Sequence, residues 1–316
     1  MSTVFISWIA HHGRSAAIAS ALGAEPLFIT GGSGPAPVRY LRAAIATRRA
    51  LRSPQRPSAA IVMLPPLPAL LATTLSRRSL PIAGDLHSGV FNDPKWSWAL
   101  VLTLRILRKR GIAVVTNASL AQTCRDRGVE TVVLHDMIED YQEPLGAPPL
   151  DLIRGEYVFL PVTYAPDEPI DSVLAAAAAS PAVTFVLTGR APERVRQAAP
   201  SNVVLTGFVA QTNFESLLRN AGAVAALTTR EDTMQRAGYE ALSAGVPLIA
   251  SSTQVLREYF EDSAVFSDSS AEGLQAAVQE IFADREAWIA RVEAMKVRKQ
   301  AEQTAALETL REWTIR

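Results

Sequence analysis

Thr228-Thr229-Arg230-Glu231-Asp232-Thr233-Met234-Gln235-Arg236-Ala237-Gly238-Tyr239-Glu240-Ala241-Leu242-Ser243-Ala244-Gly245-Val246-Pro247-Leu248-Ile249-Ala250-Ser251 is the stretch from which the fold is read. The apolar run Ala223–Thr229 ends in a polar loop, and a helix is expected to begin between Met234 and Arg236. Gly245 is suited to end that helix in left-handed backbone, and Val246-Pro247 opens the next strand. The start of such a helix presents unpaired backbone N–H groups and the positive end of a dipole, which suits a diphosphate. Ala237 and Gly238 are small enough for a ligand or another backbone to come close. Glu240, one turn into the helix, is placed to accept hydrogen bonds from two vicinal ribose hydroxyls, and Arg230 and Arg236 to offset phosphate charge. The plainer alternative is a strand–loop–helix with a surface carboxylate.

The same alternation extends in both directions. Further strands are expected at Glu156–Thr163, Val183–Gly189, Asn202–Phe208 and Val246–Ser251. From Ala271 the pattern is helical almost to Arg316, with no proline or glycine after Gly273. The first half carries apolar runs at Thr3–Trp8, Glu25–Thr30, Ser58–Leu64, Leu80–Asp85, Ile112–Asn117 and Glu130–His135, separated by stretches such as Arg39–Arg52 that suit crossover helices. Continuous apolar runs of this kind mark parallel strands buried on both faces. Between the halves, Tyr141–Pro149 holds three prolines and a glycine, which break regular structure and mark a linker. The expectation is an α/β protein of two doubly wound parallel-sheet domains facing a central cleft. Its parts are a first domain at 1–140, a linker at 141–155, a second domain at 156–290 and a helical tail at 291–316. Such sheets bind ligands at the carboxyl ends of their strands.

Composition narrows the class. With 316 residues, 48% of them hydrophobic and 20% charged, the chain is long enough for two cores and is neither disordered nor membrane-spanning in character. No apolar run approaches the roughly 18 to 20 residues of a spanning helix. The opening Ser2-Thr3-Val4-Phe5-Ile6 reads as a strand, not a signal peptide. The single cysteine, Cys124, excludes an internal disulfide and fits a reducing cytoplasm. A net charge of zero divides into +7 over residues 1–150 (16 Lys/Arg, 9 Asp/Glu) and −7 over 151–316 (15 and 22). Either the halves meet different partners or the asymmetry is simply solvated. Nothing indicates nucleic acid as a partner.

Glu240 through Ser251 resembles the donor-site signature of the large retaining GT-B glycosyltransferase family. That signature has two glutamates separated by seven residues, the second followed by Ala-Leu/Met-x-x-Gly-x-Pro-Leu/Val-Ile/Val-Ala-Ser. The first acidic position, near the donor sugar in that family, is Asp232 here. Leu187-Thr188-Gly189-Arg190 and Val204-Leu205-Thr206-Gly207-Phe208-Val209 resemble two further strand ends of the same family. The resemblance implies a GT-B fold of two Rossmann-like domains, the C-terminal one holding a nucleotide sugar. It implies donor contacts from Glu240, Arg230, Arg236, Gly238, Tyr239, Thr233 and Arg190, with Gly207, Phe208 and Val209 beside the base. Many members neutralise the diphosphate with an arginine and a lysine near the segment Thr163–Pro169, which has neither. Either Arg190, Arg230 or Arg236 substitutes, or backbone donors hold the phosphates, or the site has decayed.

In the first half, Asp85-Leu86-His87-Ser88-Gly89 concentrates a carboxylate, an imidazole and a hydroxyl at a strand end. It resembles Asp-x-His-Ser-Gly stretches of actinobacterial-type glycosyltransferases. His87, oriented by Asp85, is a candidate for bonding a donor-sugar hydroxyl or taking an acceptor proton, and its ordinary pKa near 6.5 suits either role. The alternative is a polar turn ahead of a helix. With Asp232 these two form the catalytic candidates. His12, Gly13 and Arg14 follow the first strand, either facing the phosphates from an opposite wall or forming a bland loop. Two adjacent histidines are not a metal motif, and no metal or cofactor is expected beyond the nucleotide sugar as substrate. The stretch Lys95–Arg110 is apolar and then basic. It is either a buried crossover helix or a peripheral dock on anionic lipid at the inner membrane face. The expected activity is sugar transfer from a nucleotide donor to a glycan, lipid-linked or small-molecule acceptor, with retention. A sugar-nucleotide epimerase and a decayed nucleotide-sugar binder are the alternatives.

Overall fold

Runs of Val, Ile, Leu and Ala become strands with no solvent-facing side, as in β3 (Ala59–Leu64), where every residue is buried. The computed structural model describes residues 2–53, 56–141 and 146–315; positions 142–145 of the expected linker lie outside these, as do Met1, Pro54, Gln55 and Arg316. The chain forms two units, 1–137 with 302–316, and 138–301. Each is a parallel sheet wrapped by helices, so each is a Rossmann-like domain.

In the first unit β1 (Thr3–Ser7), β2 (Glu25–Phe28), β3, β4 (Ile82–Leu86), β5 (Gly111–Val115) and β6 (Thr131–Val133) run in the order β2-β1-β3-β4-β5-β6. Side chains of β3 alternate between two cores. Val62 and Leu64 pack with Leu70, Leu104 and Leu107, and Ala60 packs with Leu51 on that same side. Ala59, Ile61 and Met63 pack with Ile18, Leu307, Leu310 and Trp313 on the other. Strand order reverses between β1 and β3, and the crevice at such a point receives ligands.

The second unit contains β7 (Tyr157–Leu160), β8 (Thr184–Thr188), β9 (Val203–Gly207), β10 (Ala223–Ala226), β11 (Leu248–Ser251) and β12 (Ala264–Ser267), ordered β12-β11-β10-β7-β8-β9. Counting β7 as the first, this is the 3-2-1-4-5-6 order of dinucleotide-binding sheets, with its switch point between β7 and β10. Tyr157 and Phe159 face a core shared with Tyr239, Phe260 and Val292, while Val158 and Leu160 face Val173, Ala277 and Trp288.

Strand β12 is absent from the sequence expectations because its four residues sit between polar neighbours and show no period. The helical C-terminal stretch is two helices, Ala271–Ala283 and Arg285–Ile315, divided at Asp284, whose carboxylate accepts the Ala287 N–H at 3.2 Å. The second of these helices lies in the second unit up to residue 301 and in the first from residue 302.

Candidate functional site

At the switch point of the second sheet, two loops leave β7 and β10 side by side. Asp167 ties them together. Its carboxylate accepts the Thr228 hydroxyl at 2.9 Å, and its carbonyl accepts the Thr229 N–H at 2.8 Å. The Thr228 N–H is held by the Ser251 hydroxyl at 2.9 Å, so β11 braces the same turn. The Gln235 amide donates to the Leu227 carbonyl at 3.1 Å and fixes the chain just before the helix Arg236–Ala244. That helix ends at Gly245 with φ of 66°, in the left-handed cap its sequence requires.

These elements surround a cavity of about 430 Å³, within the range of small-molecule sites. Phe208, Val209, Thr233, Arg236 and Glu240, all named from the sequence, line it. Glu240 is 17% exposed and accepts from Arg236 Nε at 2.8 Å, one turn earlier on the same helix face. Phe208 is 80% exposed at the rim, with the Arg190 guanidinium 6.0 Å from its ring centre. Gly207, beneath, accepts the Gly189 N–H at 2.9 Å.

The opposite wall comes from residues the sequence did not single out. Glu168 lines the cavity and folds back onto its own loop. Its carboxylate accepts the Thr163 N–H at 3.1 Å, the Ala165 N–H at 2.8 Å and the Thr163 hydroxyl at 3.3 Å. This is the first strand-to-helix turn, where such domains use backbone N–H groups to hold phosphate. Here an internal carboxylate takes them. No spacing rule distinguishes Glu168 from Asp167 beforehand.

Two expected donor contacts are corrected. Gly238 is buried, and a Cβ there would lie 2.5 Å from Phe260 Cζ, so its smallness accommodates an aromatic ring and not a ligand. Tyr239 is 2% exposed and stacks edge-on against Tyr259 at 5.2 Å between centroids. A helix with one face on the cavity turns its other faces to the core, and these two positions follow that rule. Arg230 is 64% exposed and pairs with Asp167 at 3.5 Å. Asp232 adopts φ of 56° in the loop, beside Thr233 but not among the cavity-lining residues.

In the first unit, side chains that follow β1, β4 and β6 form a polar cluster around Asp85 of β4. Arg14, on the helix Gly13–Leu22, is 3% exposed and binds Asp85 and Asp136, each at 2.9 Å, and the Leu134 carbonyl at 2.8 Å. This corrects its expected role, because a guanidinium enclosed by two carboxylates is not offered to phosphate. His87 Nε2 lies 3.2 Å from Asp85, and the His87 and His12 rings meet edge-on at 5.1 Å. His12 caps its helix, accepting the Ser15 N–H at 3.3 Å, and Gly13 is simply the first helical residue. Burial opposes the charge on Asp85, but Arg14 and then His87 outweigh it and hold the carboxyl well below the usual range. Burial, and next His87, lower the pKa of His12. Asp136, which completes the cluster, went unrecognised because it joins only through the fold.

Helix Leu100–Arg110 buries Thr103, Leu104 and Leu107, while Trp98, Val101 and Leu102 stay exposed. No helix among the described residues is long and apolar enough to cross a membrane.

Two parallel, Rossmann-like sheets and a cavity at the switch point of the second define a protein of GT-B fold. Residues 166–284, which carry most of that cavity, match the family model of group 1 glycosyl transferases. No curated protein sequence matches the chain. Among solved structures, HepE of Anabaena in complex with UDP and glucose is similar at TM-score 0.72 and 14% identity, over 98% of this chain and 99% of that one. A Polygonum tinctorium UDP-glucosyltransferase is similar at 0.65 and 11%, over 100% and 98%. The UDP-GlcNAc 2-epimerase of Methanocaldococcus jannaschii is similar at 0.57 and 15%, over 88% and 92%. At these identities the likeness is one of fold.

Proposed function

We propose that this protein is a glycosyltransferase that takes a sugar from a nucleotide donor bound in the cavity beside Glu240. The observation that carries the reading is the convergence of Phe208, Val209, Thr233, Arg236 and Glu240 on one cavity at the sheet's switch point. The exposed Phe208 ring offers a face for the base, and Glu240 an acceptor for ribose hydroxyls. Arg236, at the start of its helix, and Arg190 and Arg230 nearby in sequence to cavity residues neutralise the diphosphate, a role metal ions take elsewhere. UDP and UDP-glucose in the similar HepE structures support a uridine donor. The resemblance of Glu240–Ser251 to the retaining family supports retention of configuration, with Asp232 near the transferred sugar.

For the first unit we assign His87, oriented by Asp85, to hydrogen-bonding a hydroxyl of the sugar substrate. For retention, the acceptor hydroxyl would attack the anomeric carbon from the face that the nucleoside diphosphate leaves, and its proton would pass to the departing phosphate oxygen. Epimerisation of the donor sugar is the second reading, supported by the fold shared with an epimerase.

Titration calorimetry with UDP, GDP, ADP and dTDP tests the donor site. Binding of one nucleotide, weakened at least about tenfold in Glu240→Ala, is expected; each tenfold is about 1.4 kcal/mol. No binding by any of them overturns the reading. Incubation with the corresponding UDP-sugar then separates the rivals, since an epimerase changes the sugar without an acceptor and a transferase does not.

A further inference from the structure

The outward faces of two helices in the first unit carry the wrong kind of residue for water. A crossover helix on a sheet normally turns polar side chains outward. Helix Ala36–Leu51 buries Ala43, Thr47 and Leu51 but exposes Val38 (41%), Leu41 (63%) and Ile45 (43%), spaced three and four apart on one stripe. The turn and helix at 97–110 repeat the arrangement with Trp98 (71%), Val101 (61%) and Leu102 (41%).

Both helices lie on the same side of the sheet, since Leu51 packs on Ala60, and Leu104 and Leu107 pack on Val62 and Leu64, which all point one way from β3. Both start at the carboxyl edge of the strands they follow. There Tyr40, beside Leu41, sits 6.3 Å from the ring of Trp96, so the segments that carry the two stripes approach each other at that edge. Each stripe is followed on its own helix by cations, Arg48 and Arg49 on one, Arg105, Arg108 and Lys109 on the other. Residues 26–84 contain eight arginines and no acidic residue, and 94–125 contain six Lys/Arg and none.

A dipole account explains basic last turns but not the exposed Trp, Leu, Val and Ile ahead of them. A protein partner with a matching apolar surface would not call for two uninterrupted cationic segments. An anionic bilayer supplies both needs, with acyl chains for the apolar stripes and headgroup phosphates for the arginines. We infer that this face docks peripherally on anionic lipid, with the helix 36–51 contributing as much as the stretch 95–110. The inference stands on this surface alone and not on the donor-site reading.

The test is co-sedimentation of the full chain with vesicles of equimolar phosphatidylglycerol and phosphatidylcholine, against vesicles of phosphatidylcholine alone. Binding to the anionic vesicles at low salt is expected, with a shift of tryptophan emission to shorter wavelength that is lost in Trp98→Phe. Leu41→Glu with Val101→Glu should weaken binding by about tenfold or more, and Arg48→Glu with Arg49→Glu should weaken it and reduce its salt dependence. All these positions are exposed, and unchanged circular dichroism will show that the variants fold. Equal binding to neutral vesicles, no binding at low salt, or binding indifferent to the four substitutions each overturns the inference. A wild-type dimer that Leu41→Glu converts to monomer, with no vesicle binding, assigns the face instead to a second copy of the chain.

Discussion

Arg14 and Asp85 lie 71 residues apart in sequence and meet at 2.9 Å, with side chains only 2% and 1% exposed. Such a pair is retained at a desolvation cost and is expensive to break one-sidedly. Arg14→Met leaves Asp85 buried without its main cation, and a loss of about 3–5 kcal/mol is expected in urea denaturation. Arg14→Met with Asp85→Leu should recover part of it. Asp85 ionises more readily in the folded chain than in the unfolded one, so its contribution is present above about pH 4 and fades as the pH falls below that. The stability gap between wild type and Asp85→Asn should therefore shrink in acid. Nucleotide affinity should not change in Arg14→Met, because the cavity is formed by residues of the other unit.

His12 shifts the other way. Its lowered pKa means the folded chain favours the neutral ring, so stability falls as the pH drops through about 6.5. The neutral ring is also what accepts the Ser15 N–H. In His12→Asn, a side chain that caps without titrating, the amides of Ser15–Ile18 should keep the protection, relative to intrinsic exchange rates, that the wild type is expected to lose between pH 7 and pH 5.5. An equal loss of protection in both proteins would remove His12 as its source.

Gly238 is a packing residue. Gly238→Ala places a methyl group against Phe260, and a cost of about 1–3 kcal/mol is expected. Combining it with Phe260→Leu should relieve the clash, so the double variant should be more stable than the sum of the single effects predicts. Additive losses would mean that the ring is not what the methyl group meets.

Glu168 occupies N–H donors at the turn where phosphate is usually held. Glu168→Gln keeps an acceptor oxygen for the loop but removes a negative charge from the cavity wall. Nucleoside diphosphate binding should tighten about three- to tenfold, with a smaller change for the uncharged nucleoside. A calorimetric titration in which both ligands respond equally would locate the effect in the loop's shape and not in its charge.

What could be read beforehand followed local rules. The apolar runs became strands because a strand covered on both faces admits nothing else, and Glu240 and Arg236 could be placed because positions at a helix start follow from chain direction. Phe208 and Val209 were named through the family resemblance, because a strand that ends in glycine does not by itself mark its next residues as ligand contacts. Gly238 and Tyr239 were misread because adjacent helix residues point in different directions, and only the packed sheet decides which side is core.

The sequence by itself determined two parallel-sheet domains, the helix that begins at Arg236 and the presence of an acidic residue one turn into it, because these depend on hydrophobic period and near-neighbour backbone chemistry. Only the tertiary structure decided that Arg14 would be buried between Asp85 and Asp136, that Glu168 would fill the first loop and that Val38, Leu41 and Ile45 would face outward. Those outcomes depend on charges and surfaces far apart in the chain, whose desolvation is set when the whole core closes.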